Sequence, residues 1–174
     1  IETHFTTLFA TEDITVCNTS TDNFPNDLSS YDQIWDIRCT TTLDPGESTA
    51  FKSLLQAGKR LFMMGENTGY GASKNASIVN FVKDLGGGEL NIIEAENEQT
   101  VAYPYNNQLD DIVYRRVGGS ISTGTGTSIT KDKNNVSTAI AWDKNKLANA
   151  ESGTVIVVFD VNFMEPENEF PDPA

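Results

Sequence analysis

Hydrophobic and polar positions alternate along this chain in two different periods. His4–Ala10 places Phe5, Leu8 and Phe9 at i, i+3 and i+4, which predicts a short helix. Ile14–Cys17 is β-branched and reads as a strand, followed by a turn-rich loop over 18–30. Gln33–Ile37 (QIWDI) is a second strand. Asp44-Pro45-Gly46-Glu47 then opens a helix: Asp44 caps it, Pro45 fits its first turn, and Glu47 complements its dipole. Phe51, Leu54 and Leu55 form its buried stripe, and Gly58 supplies the stop. Leu61–Met64 is a strand apolar on both faces. Ser73–Leu85 is a second helix, with Ile78, Phe81, Val82 and Leu85 on one side and Gly86-Gly87-Gly88 after it.

From Leu90 to about Asp143 the pattern turns to short strands: Thr100–Tyr103, Ile112–Val117, Ser128–Thr130 and Thr138–Trp142. Thr154–Val161 (TVIVVFDV) is the strongest strand, and its unbroken apolar run predicts a central place in a parallel sheet. Strand–helix alternation predicts right-handed βαβ units. The expected fold is therefore one α/β domain over 1–174: a doubly wound, mostly parallel sheet with helices on both faces and a β-rich insertion at about 89–150.

Two segments run from an apolar strand straight into a polar turn, the usual place for site residues in an α/β sheet. They are Leu61–Tyr70 (LFMMGENTGY) and Val158–Glu167 (VFDVNFMEPE). Both resemble landmarks of class I glutamine amidotransferase-like domains. In that family the first turn is G-x-C-x-G, with the cysteine nucleophile, and the second is Q-F-H-P-E, with the catalytic histidine. Here the first reads Gly65-Glu66-Asn67-Thr68-Gly69 and the second Asn162-Phe163-Met164-Glu165-Pro166-Glu167. The resemblance implies the frame without the catalyst, and hence a role other than amide hydrolysis. Such folds also carry a strand before the first helix and a helix after the last strand. This chain begins at the helix and ends at Pro171–Ala174, so a neighbouring chain, or an unusual part of this one, is expected to fill the vacant strand position.

Glu66 stands in the nucleophile-like turn. Three roles remain open to it: bracing the turn, binding a cation, or acid–base work with a second carboxylate. Asp36, Asp160 and Glu165 also lie at carboxyl ends of strands. With Glu66, Asn67 and Asn162 they make up the candidate ligand or metal pocket. The oxygen-rich tail Asp160, Asn162, Glu165, Glu167 admits calcium, although its spacing is not that of an EF-hand. Gly118–Ser128 (GGSISTGTGTS) lacks the lysine spacing and following helix of a phosphate loop, and reads as a strand-connecting turn. Ser128–Lys131 matches S-x-x-K only by letters. N-x-S/T sequons occur at Asn18, Asn75 and Asn135, with helix capping the simpler role for Asn75. His4, the one histidine, has no evident catalytic neighbours. Trp35, Tyr103, Tyr105 and Trp142 could line a sugar or peptide surface, with core packing the better account of Trp35 and an exposed contact that of Tyr103-Pro104-Tyr105.

Composition narrows the partners. With 174 residues and a net charge of −13, the chain repels phosphate and anionic membranes, so neither nucleic acid nor membrane insertion is expected. No run approaches the ~18–20 apolar residues of a membrane span, and no signal peptide is visible; Ile1, in place of Met, fits a processing site or an arbitrary boundary. Cys17 and Cys39 are either a disulfide, meeting in the loops beyond their strands, or two buried thiols. The disulfide would place the chain outside the cell or at its surface. The functional expectation is a non-catalytic, secreted or cell-surface domain for binding or self-assembly, as a homo-oligomer or homopolymer. The alternative is a hydrolase or metal-binding enzyme built on carboxylates around Glu66.

Overall fold

The computed structural model describes residues 14–17, 24–25, 27–106, 112–113 and 117–160. The helix expected at His4–Ala10 lies outside them. Ile14–Cys17 does not form the expected strand and is exposed.

The order is β1 (Gln33–Asp36), α1 (Pro45–Gln56), β2 (Arg60–Gly65), α2 (Ala72–Asp84), β3 (Ile92–Glu94), β4 (Glu98–Val101), β5 (Ile112–Val113), β6 (Gly118–Ser120), β7 (Thr127–Asp132), β8 (Ser137–Trp142) and β9 (Thr154–Phe159). The helix starts and stops follow local chemistry. Asp44 accepts from the Glu47 amide at 2.8 Å while Glu47 accepts from the Asp44 amide at 3.0 Å, a complete capping box. Gly58, at φ +80°, turns the chain out of α1.

The sheet runs β1-β2-β9-β8-β7-β4-β5, with β3 and β6 off this path. Among the described strands β1, β2 and β9 pair in parallel, and the other pairings are antiparallel. The expected doubly wound, mostly parallel sheet is therefore wrong: this is a mixed sheet, most of it antiparallel. The error has a physical cause. The continuous apolar run of β9 predicts a central position, which holds, but its two faces are not equally buried, with Val155, Val157 and Phe159 buried and Ile156 exposed, and the run carries no information on strand direction. Its second neighbour is β8, which belongs to the β7–β8 hairpin. That hairpin closes on Asp132, whose carboxylate accepts from the Asn134 and Val136 amides, both at 2.8 Å, around Asn135 at φ +62°. The β-rich segment thus joins the sheet rather than sitting beside it.

Helices on both faces were also expected; both described helices lie on one. Phe51 of α1 meets Phe81 of α2 edge-to-face at 6.2 Å. Both helices share one core with Leu61, Met63, Ile140, Trp142, Val155, Val157 and Phe159. No interior position of the sheet is vacant among the described residues, because β2 and β9 pair directly. The argument that a neighbouring chain must supply a missing strand lapses.

Candidate functional site

Three carboxylates sit at the carboxyl ends of the three parallel strands. Asp36 ends β1, Glu66 follows β2 and Asp160 follows β9, and all three are buried. Gly65 is in register with Phe159, so Glu66 and Asp160 are the next residues on adjacent strands, about 4.8 Å apart in backbone spacing. Asp36 is in register with Met63 and so lies three residues short of Glu66.

Asp36 is fully engaged. One oxygen accepts from Arg38 Nε at 2.7 Å; the other accepts from Lys74 Nζ at 2.6 Å and Arg38 Nη2 at 3.1 Å. Arg38 reaches on to Glu47 through Nη1 at 2.6 Å and Nη2 at 3.2 Å, tying the network to the cap of α1. Burial pushes the Asp36 carboxyl up, but Arg38 and Lys74 outweigh it, and its pKa falls below the ordinary 3.8. Lys74 is fully buried and shares Asp36 with Arg38. Burial wins there, and its pKa is lowered from 10.5.

Glu66 is held through its backbone. Its amide donates to Asn75 Oδ1 at 2.8 Å, and Asn75 Nδ2 donates to its carbonyl at 2.6 Å. One Glu66 carboxylate oxygen accepts from the Asn67 amide at 3.3 Å and from Asn67 Nδ2 at 3.4 Å. Glycines crowd the turn. A Cβ at Gly71 would stand 2.2 Å from Glu66 Cβ, and one at Gly118 would stand 2.5 Å from Glu66 O. Asp160 adopts φ +149°, a region that disfavours any residue with a Cβ.

The structure thus brings Asp36, Glu66, Asn67 and Asp160 to one end of the sheet. Asn162 and Glu165 of the expected pocket lie outside the described residues, as do Glu167 and His4. The described residues contain no group of three or more His, Cys, Asp or Glu side chains able to hold a metal, so the calcium reading gains no ligand set from them. Sequence reading missed Arg38, Glu47 and Lys74 as parts of this network. The Asp36-x-Arg38 spacing at a strand end was the available signal; nothing marked Lys74. Asn75, read as a cap, is instead the buried clamp on Glu66, and Gly71 caps α2 without a side-chain bond.

Beside the Glu66 turn, between α2 and β3, lies an open cleft of about 370 Å³. Thr68, Asn75, Asn80 and Asn91 are its polar lining residues, Ala72, Ala76, Val79, Leu90 and Ile92 its apolar ones, and no charged residue lines it. Tyr103 is 83% exposed, in keeping with an exposed Tyr-Pro-Tyr turn, and Trp142 is buried, with Nε1 donating to Gly87 O at 3.0 Å. Trp35, expected in the core, is 36% exposed. The glycine-rich 118–128 stretch forms β6 and the turn into β7, with no helix after it.

No disulfide joins Cys17 to Cys39; Cys17 is exposed and Cys39 half-buried, and Ile14–Cys17 is not the strand that would have brought them together. No protein-family model and no curated protein matches the chain. Among solved structures it is similar to a cytoplasmic protein of Salmonella typhimurium, with a TM-score of 0.56 and 13% identity, over 79% of this chain. The chain spans 65% of that protein's length. At this identity the likeness concerns the fold alone. The expected extracellular or cell-surface location loses its basis, because the disulfide it rested on is absent. No described helix is long and apolar enough to cross a membrane.

Proposed function

We propose that this chain is a non-catalytic binding domain. Its ligand surface is the amide-lined cleft beside the Glu66 turn. The commitment of Asp36 carries this reading. Where a site would need a free acid or base, that carboxylate is saturated by Lys74 and Arg38, and Arg38 by Glu47. Glu66 is braced through its backbone and crowded by Gly71 and Gly118. These are the marks of groups that hold a turn in place. The cleft has no charge to anchor an ion, so its ligand class is neutral and rich in hydrogen-bonding groups, such as a short oligosaccharide or a peptide segment. Titration with such ligands, followed by chemical-shift changes at Asn80 and Asn91, tests the reading. Binding abolished by Asn80→Leu with Asn91→Leu is expected. A specific turnover lost in Glu66→Gln overturns it.

One observation favours an enzyme instead. Asp160 holds a buried carboxylate on a strained backbone directly beside the buried Glu66. Strain of this kind clusters at functional sites, and paired carboxylates suit acid–base hydrolysis. That reading requires a bell-shaped pH–rate profile lost in either Glu66→Gln or Asp160→Asn.

A further inference from the structure

β3 is an edge strand. Among the described strands it pairs with β6 alone, antiparallel, with Ile92, Ile93 and Glu94 opposite Ser120, Gly119 and Gly118. The bonds at either end of this register fix where its backbone points. The Ala95 amide donates to Val117 O at 2.9 Å, and the Ile121 amide donates to Asn91 O at 3.1 Å. Hydrogen-bonded pairs recur at every second residue of an antiparallel ladder. Asn91, Ile93 and Ala95 therefore turn their backbone groups toward β6. Ile92 and Glu94 turn theirs outward, where no described residue pairs with them. Side chains alternate between the two faces. Ile93 packs with Ala95, Val117 and Val136, whereas Ile92 packs on the main core and lines the cleft beside α2. Glu94 shares the face of Ile92, two residues further on, and is exposed. Outward pairing groups, an apolar cleft and a carboxylate thus follow one another along ~10 Å of edge.

We infer that this edge takes an extended peptide of another protein as an added strand, with one apolar side chain entering the cleft and a lysine or arginine meeting Glu94. The inference rests on the binding-domain reading above and names the ligand of its cleft. Strand addition draws affinity from backbone bonds and selectivity from alternate side chains. Residues on one face of an added strand are two apart, as Ile92 and Glu94 are. The partner's signature is therefore an apolar residue and a basic residue separated by one. Inside the cleft the peptide is uncharged, which matches a lining without charge, and the exposed Asn80 and Asn91 offer their carboxamides there. The basic residue lies beyond it, at Glu94. A second copy of this chain is a poor occupant, because two chains of net charge −13 repel each other. A charged residue on an edge strand also blunts it against self-pairing. An oligosaccharide fills the cleft but leaves the outward groups of Ile92 and Glu94 unpaired.

Two blocked pentapeptides, TLTKT and TKTLT, cover both strand directions. In the full chain, one of them is expected to shift the amide resonances of Ile92 and Glu94 together with those of Asn80 and Asn91. Glu94→Gln should weaken that peptide about two- to five-fold at low salt, the size of an exposed ion pair. Unchanged affinity in Glu94→Gln overturns the basic residue of the signature. N-methylation of the peptide tests the pairing without touching the protein. Methyl groups on the amides that face β3 should abolish binding, and methyl groups on the alternate amides should leave it. Equal effects of the two methylation patterns overturn strand addition. Shifts at Asn80 and Asn91 without shifts at Ile92 and Glu94 also overturn it, while leaving the cleft a binding site. If neither peptide moves any of these resonances, the inference falls, and the oligosaccharide titration alone decides the binding-domain reading. Concentration-dependent shifts of Ile92 and Glu94 with no peptide present would put a second copy on the edge and overturn the foreign partner.

Discussion

Asn75 grips Glu66 by both backbone groups, accepting from its amide at 2.8 Å and donating to its carbonyl at 2.6 Å. A side-chain amide carries its acceptor and its donor on separate atoms, so it can do both at once. The clamp joins the first turn of α2 to the end of β2, so the position of Glu66 depends on a residue nine places away. Asn75→Ala removes both bonds and leaves two buried backbone groups without them, at a cost of about 2–4 kcal/mol. Asn75→Asp keeps the acceptor, loses the donor and adds a charge, so it is expected to be no milder. Urea unfolding of the three proteins checks this, and a loss below about 0.5 kcal/mol for Asn75→Ala would show that the clamp is dispensable.

Gly71 and Gly118 enclose the same turn, for steric rather than conformational reasons. Gly71 has φ −113°, which any residue adopts, but its Cβ would meet that of Glu66 at 2.2 Å. At Gly118 the obstacle is the Glu66 carbonyl oxygen at 2.5 Å. Alanine at either position is expected to destabilise by about 1–3 kcal/mol through overpacking. The change should also shift the Glu66 and Asn67 amide resonances. An alanine variant as stable as the parent, with those resonances unmoved, would mean that the turn has room.

Local chemistry was legible in the sequence; strand direction was not. The Asp44 cap, the Gly58 stop, the α2 stripe and the central place of β9 all follow from short-range patterns, and the structure has each. The parallel reading of the whole sheet failed because apolar runs report burial without direction, and the Asp132–Asn135 turn that makes β7–β8 a hairpin was passed over. Asp36, Glu66, Asn67 and Asp160 lie at the strand ends, where the sequence puts them because strand ends are readable. Lys74 was not foreseen, because a lysine on a helix normally faces solvent, and only the fold places it against Asp36. Cys17 and Cys39 were read as a pair on the strength of a strand at Ile14–Cys17 that does not form.

Asp36 makes stability depend on acid. Its folded pKa lies below 3.8, with Arg38 and Lys74 outweighing the burial that would raise it. A depressed carboxylate stabilises fully above its unfolded value and loses that contribution as pH falls through the folded one. Unfolding free energy is therefore expected to fall below about pH 4, and the fall should be shallower in Asp36→Asn. That variant also leaves Lys74 buried without its anion, so it is expected to be about 3–5 kcal/mol less stable at pH 7. Lys74→Met should cost less, because Arg38 still serves Asp36. Denaturation curves between pH 2 and 7 check both statements, and parallel pH profiles for parent and Asp36→Asn would contradict them.

Asp160 separates the two functional readings. Its backbone sits at φ +149°, where glycine is at ease and a Cβ is not. Alanine keeps the strain and glycine relieves it, while both delete the carboxylate. Asp160→Gly is therefore expected to be more stable than Asp160→Ala by about 1–2 kcal/mol. Equal stability of the two would show that the position bears no strain. The parent supplies the functional contrast. In a binding domain the Asp160 carboxylate serves only the fold, and Asp160→Gly should bind the cleft ligand as the parent does. In an enzyme that uses Glu66 with Asp160, both variants lose all turnover however stable they are. Loss of activity in a well-folded Asp160→Gly would thus decide for catalysis, because the fold would have been relieved while the chemistry was removed.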